Sequence, residues 1–145
     1  MGFVIHEIVS VCIYSVLGII LMLLGSFLVD LVIPCSFPEE IKKGNKAIGW
    51  LSAGVYVAIG TIIRAAIASP SVAEGVEESI ISGIGNTAAY YALGVVFLII
   101  GYLLVKLINR QYDLSKEVGD GNAAAGIMLF GIFVGLGLVI SGVIA

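Results

Sequence analysis

Apolar residues along this chain fall into four long, unbroken blocks, at about residues 8–33, 47–68, 80–105 and 123–145. The first is uncharged until Asp30, and the second is interrupted only by Arg64. A helix rising 1.5 Å per residue needs about 20 apolar residues to cross a hydrocarbon core of roughly 30 Å, so each block is long enough to span a membrane. The blocks are continuously apolar rather than alternating, which excludes a transmembrane β-barrel. The expected fold is all-α, a polytopic membrane protein with four transmembrane helices in a single membrane domain over residues 1–145.

Composition supports lipid as the solvent. Hydrophobic residues make up 60% of the chain and charged residues 12%, and the mean hydropathy is +1.16. Soluble domains are about one quarter charged, and 145 residues cannot enclose a core large enough to hide this much apolar surface from water. The start "MGFVIHE" has no basic n-region, and the block after it is too long for a signal-peptide core, so the first helix is expected to be retained. His6 stands where a myristoylation signal needs Ser or Thr.

The basic residues give an orientation. Lys42, Lys43 and Lys46 lie between the first two blocks, and Lys106, Arg110 and Lys116 lie between the last two. By the positive-inside rule both connections face the cytoplasm, which puts both termini outside, together with the acidic connection carrying Glu74, Glu77 and Glu78. That connection reads as a solvated loop. Cys12 and Cys35 match no metal spacing and are expected to stay reduced, and His6 is the one histidine, so neither a disulfide, a metal nor a cofactor is expected.

The chain is written twice. Setting residues 44–68 against 121–145 without gaps, an offset of 77, gives ten identities in 25 positions, among them Gly44/Gly121, Asn45/Asn122, Gly49/Gly126, Gly54/Gly131 and Gly60/Gly137. The first and third blocks also align, at an offset of 76, with Tyr14/Tyr90, Gly18/Gly94 and Gly25/Gly101. This predicts two tandem helical hairpins, repeat 1 at about residues 5–69 and repeat 2 at about 80–145. Each has an even number of crossings, so the two insert in the same orientation as parallel repeats.

Two-helix units that each open the second helix with an Asn before an Ala-rich run, "GNKAIG" and "GNAAAG", resemble the prokaryotic membrane family catalogued as domain of unknown function 350, the YjfL type. The likeness covers essentially the whole chain. It implies an integral protein of the prokaryotic plasma (inner) membrane, with the unit present once or twice per protein and no catalytic residues to carry across. The first copy departs from the Ala-rich pattern at Lys46 and Ile48, where the second has Ala123 and Ala125.

Asn45 and Asn122 precede apolar runs, where an Asn side chain accepts from a free N–H of the first helical turn. Asn86, in "GIGNTAAYY", is expected to cap the third helix in the same way. Glycine spacing then predicts close helix packing. In the fourth helix Gly131, Gly135 and Gly142 share a first face, and Gly126 and Gly137 share a second. The second helix has Gly54, Ala58 and Ala65 on its first face and Gly49 and Gly60 on its second. The first and third helices each offer one, through Gly18/Gly25 and Gly94/Gly101. A four-helix subunit need not use every one of these faces, so the surplus suggests a homo-oligomer, the other reading being that all of them pack internally.

Charge near the hydrocarbon is sparse. Arg64 is expected near the outer interface, snorkelling or pairing with Glu7 or a loop Glu. Asp30 and Lys106 occupy equivalent positions with opposite charge and are expected either to pair or to be unrelated interfacial charges. Trp50 and Tyr112 read as interface aromatics. A rotary-ATPase proteolipid or a small multidrug antiporter would need a membrane carboxylate, and an intramembrane protease a Ser/His or paired-Asp site; neither is present. The "GDGNAAAG" run has no phosphate-loop ending, and no basic patch suits nucleic acid. Beyond the bilayer, two function classes remain. One is a non-enzymatic scaffold or envelope-stress component whose basic loops contact a cytoplasmic protein or anionic lipid. The other is a small oligomeric channel or transporter with polar residues such as Ser52, Tyr56 and Thr61 inside.

Overall fold

The computed structural model describes residues 2–69 and 80–145, and all of their regular secondary structure is helical. Four long helices cross the molecule: α1 (Gly2–Val32), α3 (Lys46–Ala68), α4 (Ile80–Ile108) and α6 (Ala123–Ile144). Each is long and apolar enough to span a membrane. Two short helices, α2 (Phe37–Lys42) and α5 (Leu114–Gly119), sit in the connections α1–α3 and α4–α6. The acidic segment with Glu74, Glu77 and Glu78 lies outside the described residues.

Two boundaries differ from the sequence expectation. Helix α1 starts at Gly2 rather than near residue 8, because nothing in "GFVIHE" breaks a helix and two polar residues do not interrupt its hydrogen bonds. Helix α4 runs to Ile108, which places Lys106 inside its last turn, where a cation suits the C-terminal end of the helix dipole. At 31 and 29 residues, α1 and α4 are about 46 and 44 Å long and exceed a ~30 Å hydrocarbon layer, so they tilt or project from it.

Helix α3 is the centre of the bundle, in contact with all five others. Its Leu51, Val55, Ile59 and Ile62 are completely buried, whereas α1 presents Val11, Val16, Ile20, Leu24, Phe27 and Leu31 outward. That distribution suits a helix ringed by protein and a helix with one broad side to lipid.

The tightest packing joins α3 to α6. A Cβ placed at Gly126 would lie 2.6 Å from Ala47 Cα, one at Gly54 2.7 Å from Phe130 Cα, and one at Gly137 2.6 Å from Ala58 Cα. At each level a glycine hydrogen faces the opposing backbone, so the helices approach closely and gain dispersion along their length, the main source of association where lipid is as apolar as the side chains. Trp50 meets Phe130 edge-on at 5.7 Å between ring centroids, and Tyr102 stacks on Phe133 at 5.4 Å. Elsewhere a Cβ at Gly101 would press on Leu136 and one at Gly94 on Ile62, while Gly18 faces Ile63 at an ordinary distance. Gly25 makes room for Tyr91, whose hydroxyl donates 2.5 Å to the Leu21 carbonyl and ties α4 to α1.

Because the atoms opposing Gly137 include backbone, which cannot rotate away, Gly137→Leu is expected to destabilise the subunit by roughly 1–3 kcal/mol. Gly142→Leu, with nothing within 4 Å of the added carbon among the described residues, is expected to leave it unchanged. Thermal unfolding of both variants in a detergent that keeps single subunits would compare them.

Candidate functional site

Among the described residues the polar chemistry gathers at the end formed by α2, α5 and the starts of α3 and α6. In both connections the same device is built from the same sequence. The short helix α2 ends on Gly44 at φ 81° and α5 on Gly121 at φ 86°, a left-handed conformation in which a side chain is strained. Gly44 N–H donates to Ile41 O and Asn45 N–H to Glu40 O; Gly121 N–H donates to Val118 O and Asn122 N–H to Glu117 O. That pair of bonds is a Schellman ending. The Asn that completes it is also the cap of the next helix. Asn45 Oδ1 accepts from Ala47 N–H at 3.0 Å and Ile48 N–H at 3.2 Å, and Asn122 Oδ1 accepts from Ala124 N–H at 3.1 Å. "GN" therefore encodes a helix stop and a helix start in two residues.

The amide nitrogen of each Asn turns back to a carboxylate. Asn45 Nδ2 donates to Glu40 Oε2 at 3.0 Å, and Asn122 Nδ2 donates to Glu117 Oε2 at 2.8 Å. Glu40 also takes Lys43 Nζ at 2.7 Å. The hydrogen bonds from Lys43 and then Asn45 hold the Glu40 carboxyl below its ordinary value, and the same Lys43–Glu40 bond raises Lys43. Both glutamates align in the duplication five residues ahead of the Asn, so comparing the copies upstream of "GN" would have found them.

The two copies differ in what else the Asn amide reaches. Asn45 Nδ2 also reaches Val118 O at 3.0 Å and Gly119 O at 3.2 Å, linking the first connection to the end of α5. Asn122 makes no such reach among the described residues and lies exposed beside a groove of about 340 Å³ lined by Tyr112, Glu117, Ala124, Ala125 and Met128.

Other predicted residues are placed differently from the expectation. Asn86 lies seven residues into α4 and caps nothing; the helix begins at Ile80 because the apolar register continues upstream through "IISGIG". Asp30 does not pair with Lys106: its Oδ1 accepts from Phe37 N–H at 2.9 Å, satisfying the first free donor of α2, where Ser36 makes no side-chain cap and Pro38 has no N–H. Among the described residues the ion pair is Lys43–Glu40, and none joins Arg64 to Glu7. Arg64 lines an open groove between α1 and α3 with Tyr14, Ser15, Gly18 and Gly60. Cys35 is half-buried, and burial first, then the charges of Glu40 and Asp30, pushes its thiol above the ordinary value. Among the described residues no group of His, Cys, Asp and Glu is arranged to hold a metal ion.

Ser52, Tyr56 and Thr61 do not converge on a lumen. Ser52 donates to Gly49 O and Thr61 to Ala58 O within their own helix, and Tyr56 points outward at 42% exposure. The reading in which all small residues pack internally does not hold among the described residues. There, a Cβ at Gly49, Gly60, Gly131, Gly135 or Gly142 would meet nothing within 4 Å.

The family described as Domain of Unknown Function (DUF350) matches residues 3–144. The chain belongs to this family. It is 25% identical over 123 residues to a UPF0719 transmembrane protein of Aquifex aeolicus (strain VF5), a stretch that is 84% of this chain and 44% of that relative. The chain thus spans less than half the length of the Aquifex protein. It is also 25% identical over 136 residues to the UPF0719 transmembrane protein YshE of Bacillus subtilis (strain 168), covering 94% of this chain and 93% of that one. No solved structure matches. The family and the four long apolar helices make this a multi-pass membrane protein.

Asn45→Asp keeps the cap acceptor but loses the donor and sets a second carboxylate against Glu40. It is expected to cost roughly 1–3 kcal/mol, with Glu40→Gln restoring part of the loss by donating to the new carboxylate; a double-mutant cycle by thermal unfolding measures it. Because Glu40 is held low, its contribution is present above its unfolded value and declines as pH falls through the folded one. The Asn45→Asp penalty at neutral pH is therefore expected to shrink in acid.

Proposed function

We propose that this protein is a non-enzymatic, homo-oligomeric scaffold of the prokaryotic inner membrane, serving envelope organisation or membrane stress. One observation carries the reading: small-residue faces on α3 and α6 are left uncovered by the described residues of the subunit. Such faces bind a helix better than they bind lipid, because backbones can approach over them. The filled interior around Leu51, Val55, Ile59 and Ile62 favours a packed assembly over a conduit through one subunit. At the α2/α5 end, Lys42, Lys43, Lys46, Arg110 and Lys116 are all exposed, a surface suited to anionic lipid or an acidic cytoplasmic protein. A second reading, a small channel or transporter, takes its support from Tyr56 and the Arg64 groove on outward surfaces; its lumen would lie between subunits.

In nanodiscs, native mass analysis is expected to give a multiple of the 15.1 kDa chain; a monomer would sink the scaffold and channel readings together. Liposomes holding the protein are expected to pass potassium, chloride and protons no faster than empty ones, and selective, saturable flux would favour the channel. For topology, a cysteine added after Ala145 is expected to react with an impermeant thiol reagent on intact cells while Cys35 stays unlabelled. The reverse pattern inverts the orientation.

A further inference from the structure

The faces left open are not the same face in the two halves. On α3 the first face is covered: Ala47, Leu51, Gly54, Ala58 and Ala65 are buried, while Gly49 and Tyr56 on the second are exposed. On α6 the pattern is reversed. Gly126, Phe133 and Gly137 on the second face are buried, and Ala124, Met128, Gly131, Gly135 and Gly142 on the first are exposed. Tyr56 is 42% exposed and its equivalent Phe133 0%; Leu51 is 0% exposed and its equivalent Met128 36%. The contact between the halves therefore pairs the first face of one copy with the second face of the other. Such a contact is heterologous: it uses two different surfaces and leaves one of each kind free, at opposite ends of the pair.

Resting on the oligomeric reading above, we infer that the subunits associate head to tail, the first face of α6 seating on the second face of α3 of a second copy as α3 seats on α6 within the chain. Carrying the internal contacts across by the duplication gives the partners. Gly126 on Ala47 becomes the second copy's Gly49 on Ala124. Gly54 on Phe130 becomes Gly131 on the second copy's Ala53. Gly137 on Ala58 becomes the second copy's Gly60 on Gly135. Each pair contains a glycine, so close approach is possible at every level.

The polar end points to the same arrangement independently. Asn45 reaches the carbonyls of Val118 and Gly119 across the halves. Its equivalent Asn122 is exposed and, among the described residues, uses its amide nitrogen on Glu117 alone; the positions equivalent to those carbonyls, Ile41 and Lys42, are exposed too. The groove beside Asn122 is the place that, in the first half, the second half fills. Head to tail, Asn122 donates to the second copy's Ile41 and Lys42 carbonyls. Because all copies insert in one direction, the contact propagates in the membrane plane and closes as a ring if its rotation allows.

The test uses two differently tagged chains in a background of Cys12→Ala and Cys35→Ala. One carries Ala53→Cys and the other Ile127→Cys, the positions equivalent to the touching Phe130 and Trp50. A short bifunctional thiol reagent is expected to join the two chains when they are co-expressed and neither when expressed alone. Ile127→Cys joined to itself, or no mixed product from a chain still oligomeric by mass, overturns the head-to-tail arrangement and leaves the oligomeric reading standing; a monomer overturns both. In the unaltered cysteine background, Gly60→Leu is expected to keep the single subunit's thermal stability in detergent while abolishing the oligomer in nanodiscs. Asn122→Ala is expected to weaken association roughly tenfold. Full association by both variants overturns the arrangement.

Discussion

The structure depends on backbone-to-backbone contact between α3 and α6. Lipid offers no hydrophobic drive between helices, so the energy must come from how many atoms can touch. Glycine at 54, 126 and 137 brings the opposing backbones within reach, and the remaining placements follow. Helix α3 becomes the buried centre, and the two short helices both come against it. Asn45 then comes within hydrogen-bond distance of the end of α5.

The "GN" pair shows how little sequence a precise turn needs. A glycine free to take positive φ ends one helix, and the next residue both completes that ending and opens the following helix. Glu40 and Glu117 hold the Asn amide so that its oxygen faces the helix and its nitrogen faces the loop. The orientation is set chemically, since only the amide nitrogen can donate to a carboxylate.

The long helices and the caps at Asn45 and Asn122 were legible because they rest on local rules: unbroken hydrophobicity, and an Asn ahead of an apolar run. The short helices were not. "FPEEIK" and "LSKEVG" are too brief to show a period, and they are held by burial of Phe37, Leu114 and Val118, a tertiary cause. Asn86 misled for the opposite reason: the local pattern was right, but the helix had already begun. The two glycine faces could be read from spacing, but which one each helix would bury could not. That choice belongs to the packing of one half on the other, where identical motifs do opposite jobs.

The hydrogen bond from Tyr91 to the Leu21 carbonyl bears on how deep α1 sits. This helix is apolar along nearly all its length, so solvent alone does little to fix its position along its own axis. Sliding it by one residue, about 1.5 Å, would take Gly25 from beside Tyr91 and bring a side chain into the space it leaves. The polar tie in the hydrocarbon resists sliding as well, because the hydroxyl would have no water to turn to. Tyr91 thus works as a depth gauge, pinning α1 to one register against α4.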